Sequence, residues 1–172
     1  MDMKAVEILD RNRLMAIATV RPDGWPQATM VGYANEGLLI YFVISRRSQK
    51  FANIARDDRV SLVIGRDFHD AREIEGLSVA AHASEVTDPA QRERAYKLLI
   101  ERRPEYGAFP KPDPAAAAVM RARCSIITVL DYSRGFGHAD VATVGAGAIT
   151  EMKAARPDDW GLSPSADRNP RT

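Results

Sequence analysis

Between residues 14 and 44 the chain carries three apolar segments separated only by two short glycine turns, and that spacing decides the fold class. Residues 14–20 (Leu-Met-Ala-Ile-Ala-Thr-Val) are apolar on both faces and rich in small or β-branched side chains, the pattern of a strand buried on both sides or closed into a barrel. Pro22-Asp23-Gly24 follows as a turn, with proline presetting the first corner and glycine supplying a positive φ. Residues 25–33 return as a second strand, with Ala28, Met30 and Gly32 alternating against Gln27, Thr29, Val31 and Tyr33. Pro26 cannot donate to a ladder and belongs at the strand's start or at an edge. Asn35-Glu36-Gly37 is a second hairpin turn, and residues 38–44 form a third, almost wholly apolar strand. Turns this short join antiparallel neighbours, because a parallel pair needs a long crossover. A doubly wound parallel sheet is therefore excluded, since regular strand–helix alternation is absent before residue 48.

The remaining pattern extends the same architecture. A short helix precedes the first strand, capped by Asp2 and ending near Asn12. Ser48 is a good cap for a second helix, with Phe51, Ile54 and Ala55 on one face and Asp57-Asp58 as its stop. Residues 60–64 read as a fourth strand, 66–73 as a loop containing His69, and 74–86 as a long fifth strand, bent or bulged near Gly76. Asp88, with Pro89 at the first helical position and Gln91 three residues after the cap, starts a third helix that buries Tyr96, Leu99 and Ile100. Residues 102–114 are proline-rich and irregular, 115–120 read as a short helix, 125–130 as a sixth strand, and 141–144 as a short edge segment. From Thr150 onward periodic apolar residues are lacking apart from Trp160 and Leu162. The expected organisation is one domain over 1–149 and a polar tail over 150–172 that is flexible or lies over a partner. Six strands joined mostly by hairpins, with helices inserted, predict a mainly β protein built as a closed or nearly closed antiparallel barrel.

Composition narrows the function classes. The net charge is +1 over 172 residues, so no whole-protein field draws in nucleic acid or an anionic membrane. No apolar run is long enough to span a bilayer and no apolar signal core follows Met1, so a cytoplasmic location is expected. Cys124 is the only cysteine, which excludes an intrachain disulfide, and it reads as a small buried residue. The histidines His69, His82 and His138 are not spaced as metal ligands, and no metal site is expected. Gly135-Phe136-Gly137 and Gly145-Ala146-Gly147 read as turns; neither a Walker-type loop nor a dinucleotide fingerprint is present. The basic helix after Asp88 lacks the interleaved aromatic residues of single-strand binders and reads as a solvated face.

One stretch remains. Ser45-Arg46-Arg47-Ser48-Gln49-Lys50 lies between a buried strand and a helix start. Unpaired backbone N–H groups and the helix dipole favour negative charge there, and arginine and lysine add to it. A solvated basic turn and a phosphate seat both satisfy these residues.

The ordered series Leu14 to Val20, Asp23-Gly24, Pro26 to Tyr33, Ser48-x-Lys50 with Asn53-Ile54, Arg59 to Val63, and Ala83 to Asp88 resembles the pyridoxamine-phosphate-oxidase-like FMN-binding split barrels over roughly residues 5–140. The resemblance implies a six-stranded split barrel that forms a homodimer, with FMN in clefts between the subunits and a small-molecule substrate. It places the FMN phosphate at Arg47, Ser48, Gln49 and Lys50. It places the isoalloxazine ring against Ala28, Thr29, Met30 and Val31 and against Val43 and Ile44. Lys50 matches the family in type; Gln49 stands where the true oxidases have arginine, and Arg46 or Arg47 supplies the missing charge. Ala28 and Tyr33 replace basic residues of those oxidases, and the C-terminal segment differs, so oxidation of pyridoxamine phosphate itself is not expected. The reading is an FMN-dependent oxidoreductase with unassigned catalytic residues; His138 and Tyr33 are candidates to border the ring. The alternatives are a flavin- or haem-binding module, with His138 or His69 as iron ligand, and a deazaflavin-dependent reductase.

Overall fold

In the computed structural model, which describes residues 2–154, the chain forms α1 (Asp2–Arg11), β1 (Leu14–Val20), β2 (Pro26–Glu36), β3 (Leu39–Ser45), α2 (Gln49–Arg56), β4 (Arg59–Gly65), β5 (Glu75–Glu85), α3 (Pro89–Arg102), β6 (Ala117–Asp131), β7 (Ala139–Gly145) and β8 (Ala148–Ala154). Met1, the side chains of Asp2 and Ala154, and residues 155–172, with Trp160 and Leu162, lie outside the described residues. Pairing runs β3-β2-β1-β4-β5-β6, and β3 pairs again with β6, so six antiparallel strands close into a barrel. β7 and β8 extend the sheet from the far end of β6.

The alternation seen in sequence becomes the wall of the barrel. Met15 and Ile17 of β1, Ile40 and Phe42 of β3, and Leu62 and Ile64 of β4 point inward and are fully buried, with Leu77, Met120 and Ile127 from β5 and β6. Helix α1 lays Ala5, Ile8 and Leu9 against this core. The other face of β3 and β6 is also covered: Tyr41 and Val119 pack with Val86, Ala95 and Tyr96, so α3 lies over the outside of these two strands. Gly24 has φ +86°, as the Pro22-Asp23-Gly24 turn requires, and Gly37 at φ +59° opens the next hairpin, closed by the Glu36–Leu39 pair.

Four expectations need correction. Residues 115–120 are not a helix: residues 117–120 open the 15-residue strand β6. Ala118 and Met120 enter the barrel while Val119 meets α3, so the segment is apolar on both faces and carries no period-2 signal. The sheet irregularity falls between Ala80 and Ala81, not near Gly76. A Cβ at Gly76 would sit 2.9 Å from the Ile64 carbonyl oxygen, so glycine there permits a close strand approach. The edge segment at 141–144 is longer and is itself paired: β8 runs through residue 150 as far as Ala154, so the start of the expected tail belongs to the sheet.

Candidate functional site

The turn after β3 is organised by its two serines. The Ser45 carbonyl accepts the Ser48 hydroxyl at 2.7 Å and the Ser48 amide at 3.0 Å, and Ser48 Oγ in turn accepts the Phe51 amide at 3.2 Å. Ser48 is the N-cap of α2, which is the expected cap with its hydrogen bond in place. The amides of Gln49 and Lys50 begin the helix, where N–H groups have no intrahelical acceptor. Below them, Asn53 is fully buried and donates to Thr19 Oγ1 at 3.0 Å and Gln27 Oε1 at 3.2 Å, while accepting from Gln49 Nε2 at 2.8 Å. Gln49 is thereby tied into a network that fastens α2 to β1 and β2.

The three cations of this turn are in different circumstances. Arg46 is engaged: it pairs with Glu85, donates from Nε to the Pro114 carbonyl at 2.7 Å and lies 5.4 Å from the centre of the Phe51 ring. Arg47 and Lys50 have no side-chain hydrogen bond or ion pair among the described residues. Lys50 is half-buried, and desolvation lowers its pKa from the ordinary lysine value, as for a cation drawn partly out of water without a counter-ion. An anion placed between Arg47, Lys50 and the start of α2 would correct that imbalance. The donor set therefore fits a phosphate.

Beside the turn lies an open groove of about 1560 Å³ between the outer face of β2 and β3, helix α3 and residues 104–112. Met30, Val31 and Val43 line it, three of the positions expected at the isoalloxazine ring, together with Gly32. Val43 is five residues before Ser48, so β3 runs from the groove to the basic turn. Tyr106 closes in on β2 at Gly32, where a Cβ would sit 2.9 Å from its hydroxyl. The other expected ring positions do not line the groove. Ala28 is exposed on the outer barrel face; Thr29 is half-buried, with a hydroxyl that has no partner among the described residues; the Ile44 side chain belongs to the barrel core.

Tyr33 does not border the groove. It is fully buried, and its hydroxyl donates to the Leu9 carbonyl at 2.7 Å, fastening α1 to the barrel. His138 lies in the β6–β7 connection, 3.3 Å from Asp140, and is not among the groove's lining residues. His82 sits 3.0 Å from Asp58 on the surface. Cys124 is buried against the Leu38 carbonyl, and burial pushes its thiol up to about 11, so it is no thiolate at neutral pH. The sequence reading missed the wall made by α3 and residues 104–112. The only hint was the burial assigned to Tyr96, Leu99 and Ile100, which does not reveal which strands the helix faces; Ile100 is instead 43% exposed and lines the groove.

Among the described residues no helix is long and apolar enough to cross a membrane. Among curated proteins no sequence matches the chain. Solved structures share its fold. A heme binding protein from Mycobacterium smegmatis superposes with a TM-score of 0.68 at 18% identity, covering 81% of this chain and 57% of that one, so this chain spans little more than half of that protein's length. A pyridoxamine 5'-phosphate oxidase-related, FMN binding protein from Nostoc punctiforme gives 0.66 at 14% identity, covering 90% of this chain and 96% of the other. A FAD-binding protein from Mesorhizobium loti gives 0.60 at 18% identity, with 74% and 91% covered. In sequence, the profile described as pyridoxamine 5'-phosphate oxidase matches residues 1–125, which span β1 to β4, the basic turn and the groove's walls, and the chain belongs to that family.

Proposed function

We propose that the chain is an FMN-binding flavoprotein acting as an oxidoreductase on a small molecule in the cytoplasm. The observation that carries this reading is the pair of uncompensated cations, Arg47 and Lys50, at the Ser48-capped start of α2, on the same strand-to-helix connection as the apolar groove at Val43. Arg47, Lys50 and the first amides of α2 neutralise and orient the phosphate. Met30 and Val43 offer the ring an apolar surface and exclude water from one side of it. Bound there, FMN supplies the redox chemistry, and the protein contributes anchoring, orientation and a cleft for the substrate.

The proposed assembly is a homodimer with the cofactor cleft at the subunit interface. The outer barrel face beside the groove supports it. The aligned positions Met30, Ala16, Val63, Ser78 and Thr128 form one cross-strand row, and Ala28, Ala18, Ser61, Ala80 and Ile126 form the next. Neither row contains a charged residue.

The visible spectrum of the purified protein, with mass identification of what it releases on denaturation, tests the reading. Flavin absorption and released FMN are expected. A colourless protein that does not bind FMN on titration overturns it. A deazaflavin in the released fraction would leave the phosphate anchor intact and change the cofactor. A Soret band on haem addition, lost in His138→Ala, would favour the haem-binding alternative.

A further inference from the structure

We infer that the groove under α3 takes an uncharged, planar, largely apolar molecule bearing one hydrogen-bonding oxygen, and that Tyr96 is the residue that meets this oxygen. The inference rests on the cofactor reading for its meaning as a substrate site, but the groove's chemistry belongs to this chain alone.

Size comes first. Pockets for single small ligands run to about 300–1000 Å³. At about 1560 Å³ this groove has room beyond one ring system. Its walls are mainly apolar: Met30 and Val43 on the barrel side, Ile100, Tyr106 and Phe109 opposite. Phe109 is 68% exposed, and Ile100 is 43% exposed although the other large apolar side chains of α3, Tyr96, Leu98 and Leu99, are buried or half-buried. Aromatic side chains left exposed on one wall, Tyr106 and Phe109, facing the aliphatic Met30 and Val43, suit a flat molecule between them.

Charge decides the next point. Five charged side chains border the groove, and each has a partner within the chain. Lys111 pairs with Glu93, Arg94 with Glu36, and Lys97 lies 4.0 Å from Glu101. The rim therefore presents balanced pairs and no free cation. An anionic substrate would have to break one of them, in contrast to the basic turn, where Arg47 and Lys50 stand unpaired.

The polar contact follows from burial. Tyr96 is only 6% exposed, lines the groove, and carries a hydroxyl that is out of water with no hydrogen-bond partner among the described residues. A buried hydroxyl without a partner is costly and is rarely left so. Burial also raises its pKa above the ordinary tyrosine value, which keeps the proton in place for donation to a carbonyl-type oxygen. The Lys111 ammonium lies 5.1 Å from the centre of the Tyr96 ring, so the segment 109–112 covers this residue at the groove's open edge.

The probes are 2-acetonaphthone, which is neutral with one carbonyl, 2-naphthoate, its anionic counterpart, and naphthalene, all titrated into the full-length protein by calorimetry. The ketone is expected to bind about tenfold more tightly than the carboxylate. Tyr96→Phe is expected to weaken the ketone by about fivefold to tenfold and to leave naphthalene unchanged. Glu93→Gln, a change at an exposed position, frees Lys111 and is expected to raise the affinity for 2-naphthoate several-fold. Carboxylate binding equal to or tighter than that of the ketone, no binding of either, or a Tyr96→Phe variant that binds the ketone as well as the parent overturns the inference. FMN is titrated into the same samples. FMN binding without ketone selectivity removes this inference alone; ketone selectivity without FMN binding removes the flavin reading alone.

Discussion

Arg46 and Arg47 adjoin in the chain, yet their surroundings give them different work. Arg46 holds Glu85 and the Pro114 carbonyl, so it joins the end of β3 to the end of β5 and to the segment entering β6. Arg47 faces solvent beside a half-buried Lys50, and neither has a side-chain partner among the described residues. Arg46→Ala is expected to lower the melting temperature and to change FMN affinity only as far as the turn loosens. Arg47→Ala and Lys50→Ala are expected to leave the melting temperature of the ligand-free protein unchanged. Each should weaken FMN binding by about 1–3 kcal/mol, the cost of losing a charge-assisted hydrogen bond. Flavin fluorescence titration and differential scanning fluorimetry on the three variants separate the roles. Unchanged FMN affinity in Lys50→Ala removes that lysine from the site. Sequence alone singled out the cluster but could not divide it, because Glu85 and Pro114 lie about 40 and 70 residues from Arg46 along the chain.

At the scale of elements, helix α2 is fastened from beneath. Asn53 is fully buried and satisfies Thr19, Gln27 and Gln49 at once, so one side chain joins α2 to both strands of the first hairpin. Removing it takes the amide donor from the buried Thr19 hydroxyl and unties Gln27 and Gln49. Asn53→Ala is expected to cost about 1–3 kcal/mol in urea unfolding. It should also weaken FMN binding, because the start of α2 loses its support. A variant with parental stability would show that water or a neighbour replaces the network. The same element shows what a sequence discloses. Cap and stop of α2 are local signals and were readable, as were the turns on either side of β2; of the expected apolar face Ile54 is buried and Phe51 half-buried, but Ala55 is exposed and the polar Asn53 is buried in its stead. β6 was misread at its start because Ala117 to Met120 combine helix-favouring alanine with burial on both faces, and local pattern does not separate the two states. β8 was missed because a strand paired on an edge, with Glu151 and Lys153 alternating around Met152, reads as polar chain. The groove was hidden for a third reason: it exists only where α3 and residues 104–112 pass the outer face of β2, more than 50 residues earlier.

At the scale of the whole molecule, a closed barrel has an outer face that must be solvated or covered. Helix α3 covers the outer face of β3 and of the start of β6 and, with the residues after it, passes over β2 at Gly32, and α1 packs against the core, but among the described residues the outer face of β1, β4 and β5, with the neighbouring parts of β2 and β6, has no such cover. A solvated outer face ordinarily carries charge at alternate positions. Here the two rows from Met30 to Thr128 and from Ala28 to Ile126 hold ten uncharged residues, among them Met30 at 62%, Val63 at 56% and Ile126 at 45% exposure. Small residues between them, such as Ala18, Ser61 and Ala80, leave the surface flat enough for close approach by a second barrel. A stable pair needs about 800 Å² from each partner, and a face five strands wide supplies an area of that order. The groove opens at the edge of this face through Met30, so a second subunit seated there would stand beside the cofactor cleft. Val63 lies at the centre of its row, and Val63→Glu would place a carboxylate in the middle of the proposed interface, with no cation among the ten residues to receive it. The parent is expected to sediment as a dimer and Val63→Glu as a monomer with an unchanged far-ultraviolet circular dichroism spectrum. FMN affinity should fall with dissociation, because the proposed partner would no longer close the edge of the cleft. A monomeric parent, or a Val63→Glu variant that remains dimeric, would show that this face is not the interface.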